Sequence, residues 1–440
     1  MYLHGNSKIN EKGHLEIGGY DTVELVEKYG TPLFVYDEEW IRDKCRAYVE
    51  AFKETGFKFQ VAYASKAFMS MAMCRLAAEE GLSLDVVSGG ELYTALKADF
   101  PASRIHFHGN NKTISEMEMA LDANIGCFVV DNFYELDVLH ALAEERGTKV
   151  NILLRVTPGV SAHTHEYIST GQDDSKFGFG VSNGQAFEAM KKALQMKHYQ
   201  VLGIHSHIGS QIFETNGFVA AVTKLAGFLL DLRKETGYEV SVLNLGGGFG
   251  IRYTDEDTPL SATEYINPIT EEVKSQFTAA NYQLPEIWIE PGRSIVGDAG
   301  TTLYTIGSVK TIPGIRKYVA VDGGMTDNIR PALYQSRYEA MLANRANAEA
   351  NDLVSIAGKC CESGDMLIWD IQLPEVSAGD ILAVSCTGAY GYAMANNYNR
   401  IARPAVVFVK KGQAEVVVER ETYEDMVKND RIPSSMMLYK

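Results

Sequence analysis

FQVAYASKAF, residues 59–68, decides how the rest of the chain reads. Phe59, Val61 and Tyr63 alternate with small or polar neighbours, the period of a strand whose successive side chains point to opposite faces. The run ends at Ala64-Ser65-Lys66, and the spacing over 68–80 predicts a helix. The stretch is therefore a strand that delivers a lysine at its carboxyl end and turns into a helix. A lysine at such an end points into a pocket, where desolvation lowers an ammonium pKa from about 10.4 and frees the amine for Schiff-base chemistry. A solvated surface lysine would have the same local sequence, and the neighbouring stretches have to separate the two readings.

Strand-like runs recur at 59–64, 82–87, 104–108, 126–130, 150–156, 201–206, 241–245 and 286–290. Helical spacing fills the links between them, for example at 91–97, 115–122, 132–145, 186–195 and 218–235. Eight strands alternating with helices, each link long enough for a right-handed crossover, predict an α/β fold with a parallel (β/α)8 TIM barrel. A doubly wound open sheet also alternates, so the strand ends have to decide. They carry Lys66, Ser88-Gly89-Gly90, His108-Gly109-Asn110, Asp131, Arg155, His205-Ser206-His207, Gly246-Gly247-Gly248 and Glu290-Pro291-Gly292-Arg293. Reactive or backbone-exposing residues at every carboxyl end are the pattern of a barrel active site. Residues 157–183 form a Gly-rich, helix-poor link longer than the others, which reads either as a lid or binding loop or as a surface excursion.

Outside the barrel the texture differs. Residues 1–32 are polar and punctuated by glycine, with a short helix expected at 21–29, a strand at 32–36 and a helix at 38–53. Beyond Arg293 the chain alternates with a period of two and without helices, and the runs on either side of Lys411-Gly412 predict a hairpin. The expected domains are a barrel over 37–293 and an antiparallel β domain over 294–440. The segment 1–36 joins the second, because a short leader with one strand cannot fold alone.

The 440 residues are 46% hydrophobic and 22% charged, enough to bury a substantial core. A net charge of −16 argues against nucleic acid and against an anionic membrane surface as partners, while a few local arginines can still hold a small anion. The first residues lack an apolar signal region, and no run of about 18 apolar residues occurs, so a cytoplasmic protein is expected. Six cysteines without CxxC pairs read as reduced thiols.

Three constellations carry chemistry. The run Gly246-Gly247-Gly248-Phe249-Gly250 follows the seventh strand, where barrels bind phosphate through backbone N–H groups, although a tight turn reads the same. Glu290-Pro291-Gly292-Arg293 closes the eighth strand. Its carboxylate could keep a pyridine nitrogen protonated and its arginine could hold phosphate or carboxylate; a salt-bridged strand end is the bland alternative. The pair His205 and His207, like His106/His108 and His163/His165, puts two imidazoles on one strand face, as in zinc hydrolases. No carboxylate ligand set accompanies these pairs, and a metal site would leave Lys66, the glycine run and Glu290 unused, so no metal is expected. The other reading places one histidine on a cofactor ring with Ser210 near its phosphate.

Tyr63-Ala64-Ser65-Lys66-Ala67, His207-Ile208-Gly209-Ser210-Gln211, the glycine run and Glu290-Pro291-Gly292-Arg293, in this order, resemble the pyridoxal-phosphate decarboxylases built on an alanine-racemase-like barrel. Within that family Asp322-Gly323-Gly324-Met325, Asn328-Ile329-Arg330-Pro331, Tyr334, Gly358-Lys359-Cys360-Cys361-Glu362-Ser363 and Gly388-Ala389-Tyr390-Gly391 are similar to the branch that acts on diaminopimelate. The resemblance spans essentially the whole chain, without departure at these positions. It implies an alanine-racemase-like fold (fold type III of the pyridoxal-phosphate enzymes), pyridoxal 5'-phosphate as cofactor, and carboxy-lyase activity that converts meso-diaminopimelate to L-lysine and carbon dioxide, the last step of lysine biosynthesis. Lys66 would hold the cofactor as a Schiff base and His207 would stack on its ring. Ser210, Gly248, Glu290, Pro291, Gly292, Arg293 and Tyr390 would bind it. Arg293, Arg330 and Tyr334 would grip the distal carboxylate of the substrate, Glu362 its distal ammonium, and Tyr390 would touch cofactor and substrate. Cys361 would be the general acid. Cys361 and Glu362 would reach into a neighbouring subunit's site, which implies a homodimer with shared active sites and a second domain that contributes to its interface. Relatives acting on ornithine or arginine carry Cys-Asp where this chain has Cys361-Glu362, which favours diaminopimelate. The alternatives are a sister decarboxylase for a D-amino acid or another diamino acid, and a silent relative, which would have no need to keep both Lys66 and Cys361.

Overall fold

Phe59–Ala64 is the first of eight parallel strands that close on themselves. It pairs on one side with Ser83–Val86, followed around the ring by Ile105–Phe107, Cys127–Val130 and Val150–Thr157. On the other side it pairs with Glu286–Ile289, and the ring continues through Val242–Asn244 and Tyr199–His205 back to Val150–Thr157. The expected (β/α)8 barrel is thus present, with each strand inside or beside its expected range. The structure is a computed structural model that describes residues 1–160 and 174–436.

The strands hold because both their faces are buried. Cys127, Val129, Leu153, Val242 and Trp288 form one buried apolar cluster on a shared face of the sheet. Between the strands, Met71–Glu79, Gly89–Lys97, Ile114–Asp122 and Phe133–Glu145 begin where the side chains of Ser70, Ser88, Thr113 and Asn132 accept the third helical N–H, satisfying a donor the helix leaves open. A further helix, Ala262–Ala279, was not among those read from the spacing, and it contains Pro268. A proline inside a helix removes one hydrogen bond. Here a capping box of Ser261 with Glu264, and the buried stripe Tyr265, Ile266, Ile269, Val273 and Phe277, carry the helix through it.

Contacts divide the chain into two units, Trp40–Gly297 and Met1–Glu39 with Asp298–Lys440. The main sheet of the second unit runs in the order Met366–Leu373, Asp352–Ala357, Arg316–Val321, Gly300–Ile312, Leu33–Asp37, Ala405–Lys410, Gln413–Val418. It is mostly antiparallel, with two exceptions to the sequence expectation. Arg316–Val321 runs parallel to Asp352–Ala357, and Ala405–Lys410 runs parallel to Leu33–Asp37. All five residues of Leu33–Asp37 are buried, as a central strand covered on both faces requires, and Leu33 and Val35 pack in one core with Leu15, Leu25, Leu303 and Val407. The hairpin at Lys411-Gly412 is present: Lys410 opposes Gln413, and both turn residues have positive φ, 50° and 76°, which matches the twist of the flanking strands. The expectation of no helices beyond Arg293 fails at Arg330–Tyr334 and Tyr423–Val427, two five-residue helices too short to show a period.

Of the long link 157–183, residues 161–173 lie outside the described residues, and with them His163 and His165. Beyond them, Phe179–Gly180 pairs in parallel with Val156 and Thr157. Among the described residues no helix is long and apolar enough to cross a membrane.

Candidate active site

The carboxyl ends of the barrel strands gather the polar residues that composition would otherwise place on a surface. Lys66 sits in the single turn Ser65–Ala67 that ends the first strand. It is exposed, while Ser65, Ala67 and Phe68 around it are buried, so the burial expected for this lysine is not there. Its amine is open at the barrel mouth, and its positive charge acts on His207 and Asp85.

Glu290 is the centre of the mouth. Its Oε1 accepts from Asn244 Nδ2 at 2.7 Å and lies 2.9 Å from His108 Nε2; its Oε2 is 3.0 Å from His205 Nε2. All four residues are buried. Burial alone would push the Glu290 carboxyl up, but the charge of His108 and the contacts made by His108 and His205 outweigh it and hold it well below the usual carboxylate range. Ligand-type atoms of His108, His205 and Glu290 lie within 4.8 Å of one another, a convergence that ion pairing already explains. It also supplies a carboxylate beside His108 and His205 that no sequence motif places there.

His207 follows on the sixth strand. Burial first, then the positive charges of Lys66 and Arg155, hold its imidazole well below the usual value, so the ring is neutral near pH 7. Gly247 N–H donates to His207 Nδ1 at 3.2 Å, which leaves the ring proton on Nε2. The glycine run makes this approach possible: a Cβ at Gly247 would lie 2.1 Å from Glu290 O, and one at Gly248, whose φ is +106°, would lie 2.3 Å from Gly209 O. Arg293, buried at the start of a four-residue helix, donates to Tyr253 OH at 2.6 Å and to Ser210 Oγ at 2.9 Å. Pro291 and Gly292 join the first strand to the eighth, since Ala64 N–H donates to Pro291 O at 3.1 Å and a Cβ on Gly292 would meet Ala64.

Lys66, His207, Ser210, Gly248 and residues 290–293 therefore share one barrel mouth. The remaining expected residues lie in the second unit. Arg330 is buried, donates to Tyr338 OH at 2.9 Å, and has its guanidinium 5.9 Å from the ring centres of both Tyr334 and Tyr390. Tyr390 adopts a positive φ of 61°, a backbone state that costs about 1–3 kcal/mol and gathers at functional sites. Cys361 and Glu362 are exposed in a turn whose form is set by Asp365: its carboxylate accepts from Met325 N–H at 2.6 Å and Cys360 N–H at 2.8 Å. Cys361 N–H is tied to Asn399 Oδ1 at 2.7 Å.

Sequence reasoning gave no part to Asn244, Asp85 or Tyr253, although each touches or adjoins an expected residue. Asn244 and Asp85 carry a legible signal, a polar residue on a buried strand of the barrel; Tyr253 carries none. The mouth fits a pyridoxal group on its own chemistry. A carboxylate offers about four acceptor positions; Asn244 and His205 hydrogen-bond to Glu290 and His108 Nε2 lies 2.9 Å from its Oε1, which leaves a position on Oε2 for a ring N–H. Ser65 Oγ and Ser206 Oγ, both buried beside Lys66 and His207, have no hydrogen-bond partner among the described residues.

Comparison with known proteins agrees. Residues 38–297 match the family model described as pyridoxal-dependent decarboxylase, pyridoxal binding domain. A diaminopimelate decarboxylase of Bacillus subtilis is 64% identical over 430 residues, 98% of each chain. One from Staphylococcus aureus is 50% identical, covering 96% of this chain and 99% of its own. The solved structure of diaminopimelate decarboxylase from M. jannaschii in co-complex with L-lysine superposes with a TM-score of 0.92 at 40% identity, covering 98% of this chain and 99% of that one. The chain belongs to the diaminopimelate decarboxylases, a branch of the pyridoxal-dependent decarboxylase family.

Proposed function

We propose that this chain is a pyridoxal 5'-phosphate-dependent carboxy-lyase that converts meso-diaminopimelate to L-lysine and carbon dioxide, the closing step of lysine biosynthesis. The observation that carries the chemistry is Glu290, a buried carboxylate kept ionised at the barrel mouth that also presents Lys66. The substrate follows from family membership. When bound, the cofactor supplies an electron-poor ring that accepts the electron pair left by departing carbon dioxide.

The protein's part is to hold and to move protons. Lys66 would hold the cofactor through its Nζ, which is open at the barrel mouth. His207, neutral and with Nδ1 pinned by Gly247, offers a flat face that adds no positive charge against the ring. Glu290 keeps the ring nitrogen protonated, while Ser210, Gly248 and the 291–293 segment, with Arg293 buried and fixed by Tyr253, bind the phosphate end. Tyr390 touches cofactor and substrate. Arg293, Arg330 and Tyr334 hold the distal carboxylate of the substrate and Glu362 its distal ammonium; their unmatched charges would reject lysine or ornithine by about 10⁴-fold. Cys361 Sγ–H is the donor of the proton that replaces carbon dioxide.

Cys361 and Glu362 are exposed on one chain, as residues that complete a neighbour's site must be, and this supports a homodimer with shared sites. Six cysteines outside any disulfide favour the reducing cytoplasm. The experiment is Lys66→Ala: the purified protein should lose the visible absorption of lysine-bound cofactor together with turnover, and persistence of that band would remove Lys66 from its role.

A further inference from the structure

Two histidines touch Glu290, and their surroundings differ. His205 sends Nε2 to Glu290, and its buried Nδ1 has no hydrogen-bond partner among the described residues. A proton there would be a buried, unpaired donor on a buried cation, so His205 is neutral; its pKa lies near 4, lowered by burial. His108 has the opposite setting. Its Nε2 lies 2.9 Å from Glu290 Oε1 and 3.7 Å from Asp85 Oδ1, one buried imidazole between two buried carboxylates.

We propose that His108 is a positioning residue for the decarboxylation: a fixed imidazolium, bracketed by Asp85 and Glu290, that holds Glu290 as a carboxylate and leaves its free lone pair for the cofactor ring nitrogen. This rests on the function proposed above. Two carboxylates buried together without a cation would be costly enough for one to take up a proton. Burial works against the charge on His108, but Asp85 and Glu290 together raise its pKa above the ordinary histidine value. The other ionisable groups that face this cluster are His205 and His207 at the sixth strand, Arg155 on the fifth, Cys127 on the fourth, Lys66 after the first, Glu91 on the helix after the second, and His106 beside His108. His106 is stacked on Trp288 with ring centres 4.3 Å apart, and burial lowers its pKa to about 3, so it adds no charge. Arg155 and Lys66 are cations, but His108 is the one that touches both carboxylates at ion-pair distance.

The sign of the expected effect follows. Without the His108 charge, Glu290 takes up a proton more readily, so the pH below which cofactor and turnover are lost moves upward. In His108→Gln holoenzyme the acid limb of kcat, and of cofactor retention read from visible absorption after gel filtration, should rise by about one pH unit or more. His108→Lys should restore it, and His205→Gln, which removes no charge and keeps an N–H donor within reach of Glu290 Oε2, should move it far less than His108→Gln does. An unmoved limb in His108→Gln, a limb that moves in His205→Gln instead, or failure of His108→Lys to restore it overturns the inference. Neutron diffraction from wild-type holoenzyme at about pH 7 needs no variant. Deuterons on both ring nitrogens of His108 and on Nε2 alone of His205 are expected, and a singly deuterated His108 contradicts the proposal. The same map separates the two claims, because a cofactor ring nitrogen away from Glu290 would overturn the functional reading whatever the state of His108.

Discussion

Cys361 is the residue whose part in the chemistry is most open to direct challenge. It is exposed, and its backbone N–H is held by Asn399 in a turn braced through buried Asp365. The brace does not depend on the Cys361 side chain, so Cys361→Ala should fold normally and retain the cofactor. Loss of a positioned proton donor typically costs about 10²–10⁴ in rate, and kcat should fall in that range with visible absorption unchanged. Turnover within a factor of about two of wild type would exclude Cys361 as the acid. At this scale the sequence was informative wherever a reactive residue sat in a recognisable motif, as Lys66 and Glu290 do. The contacts that give those residues their properties were not. Nothing in the local sequence of His108 or Asn244 says that both meet Glu290, because the meeting is made by ring closure between strands far apart in the chain.

Among the elements, the glycine run after the seventh strand makes the narrowest fit. At Gly248 a Cβ would meet Gly209 O at 2.3 Å, with φ in a region that disfavours any side chain. Neither obstacle is the end of a flexible side chain, so Gly248→Ala has to displace the loop. Equilibrium dialysis should show cofactor affinity weakened by about tenfold or more, with the barrel still folded by circular dichroism. Unchanged affinity would mean that this loop does not hold the cofactor. The strands were legible because apolar runs recur between helical links, with functional residues at one end of each. Ala262–Ala279 runs through Pro268, a residue that disfavours a helix interior, because capping and a buried stripe override it. Arg330–Tyr334 was not read because five residues show no helical period. The parallel pairing of Leu33–Asp37 with Ala405–Lys410 joins opposite ends of the sequence, which no local pattern encodes.

For the whole molecule, the claim of shared sites has a specific arithmetic. In a mixture of Lys66→Ala and Cys361→Ala subunits, a mixed dimer carries both lesions in one site and none in the other. Random reassortment should therefore recover about a quarter of wild-type activity from two inactive parents, whereas self-contained sites would recover none. The most direct test is carbon dioxide release by cofactor-loaded wild-type protein offered meso-diaminopimelate, L-lysine, L-ornithine, L-arginine and D-ornithine separately. Release from meso-diaminopimelate should exceed the others by about 10⁴-fold in kcat/KM. Comparable or faster release from any of the other four would contradict the roles assigned to Arg330 and Glu362, and with them the proposed substrate.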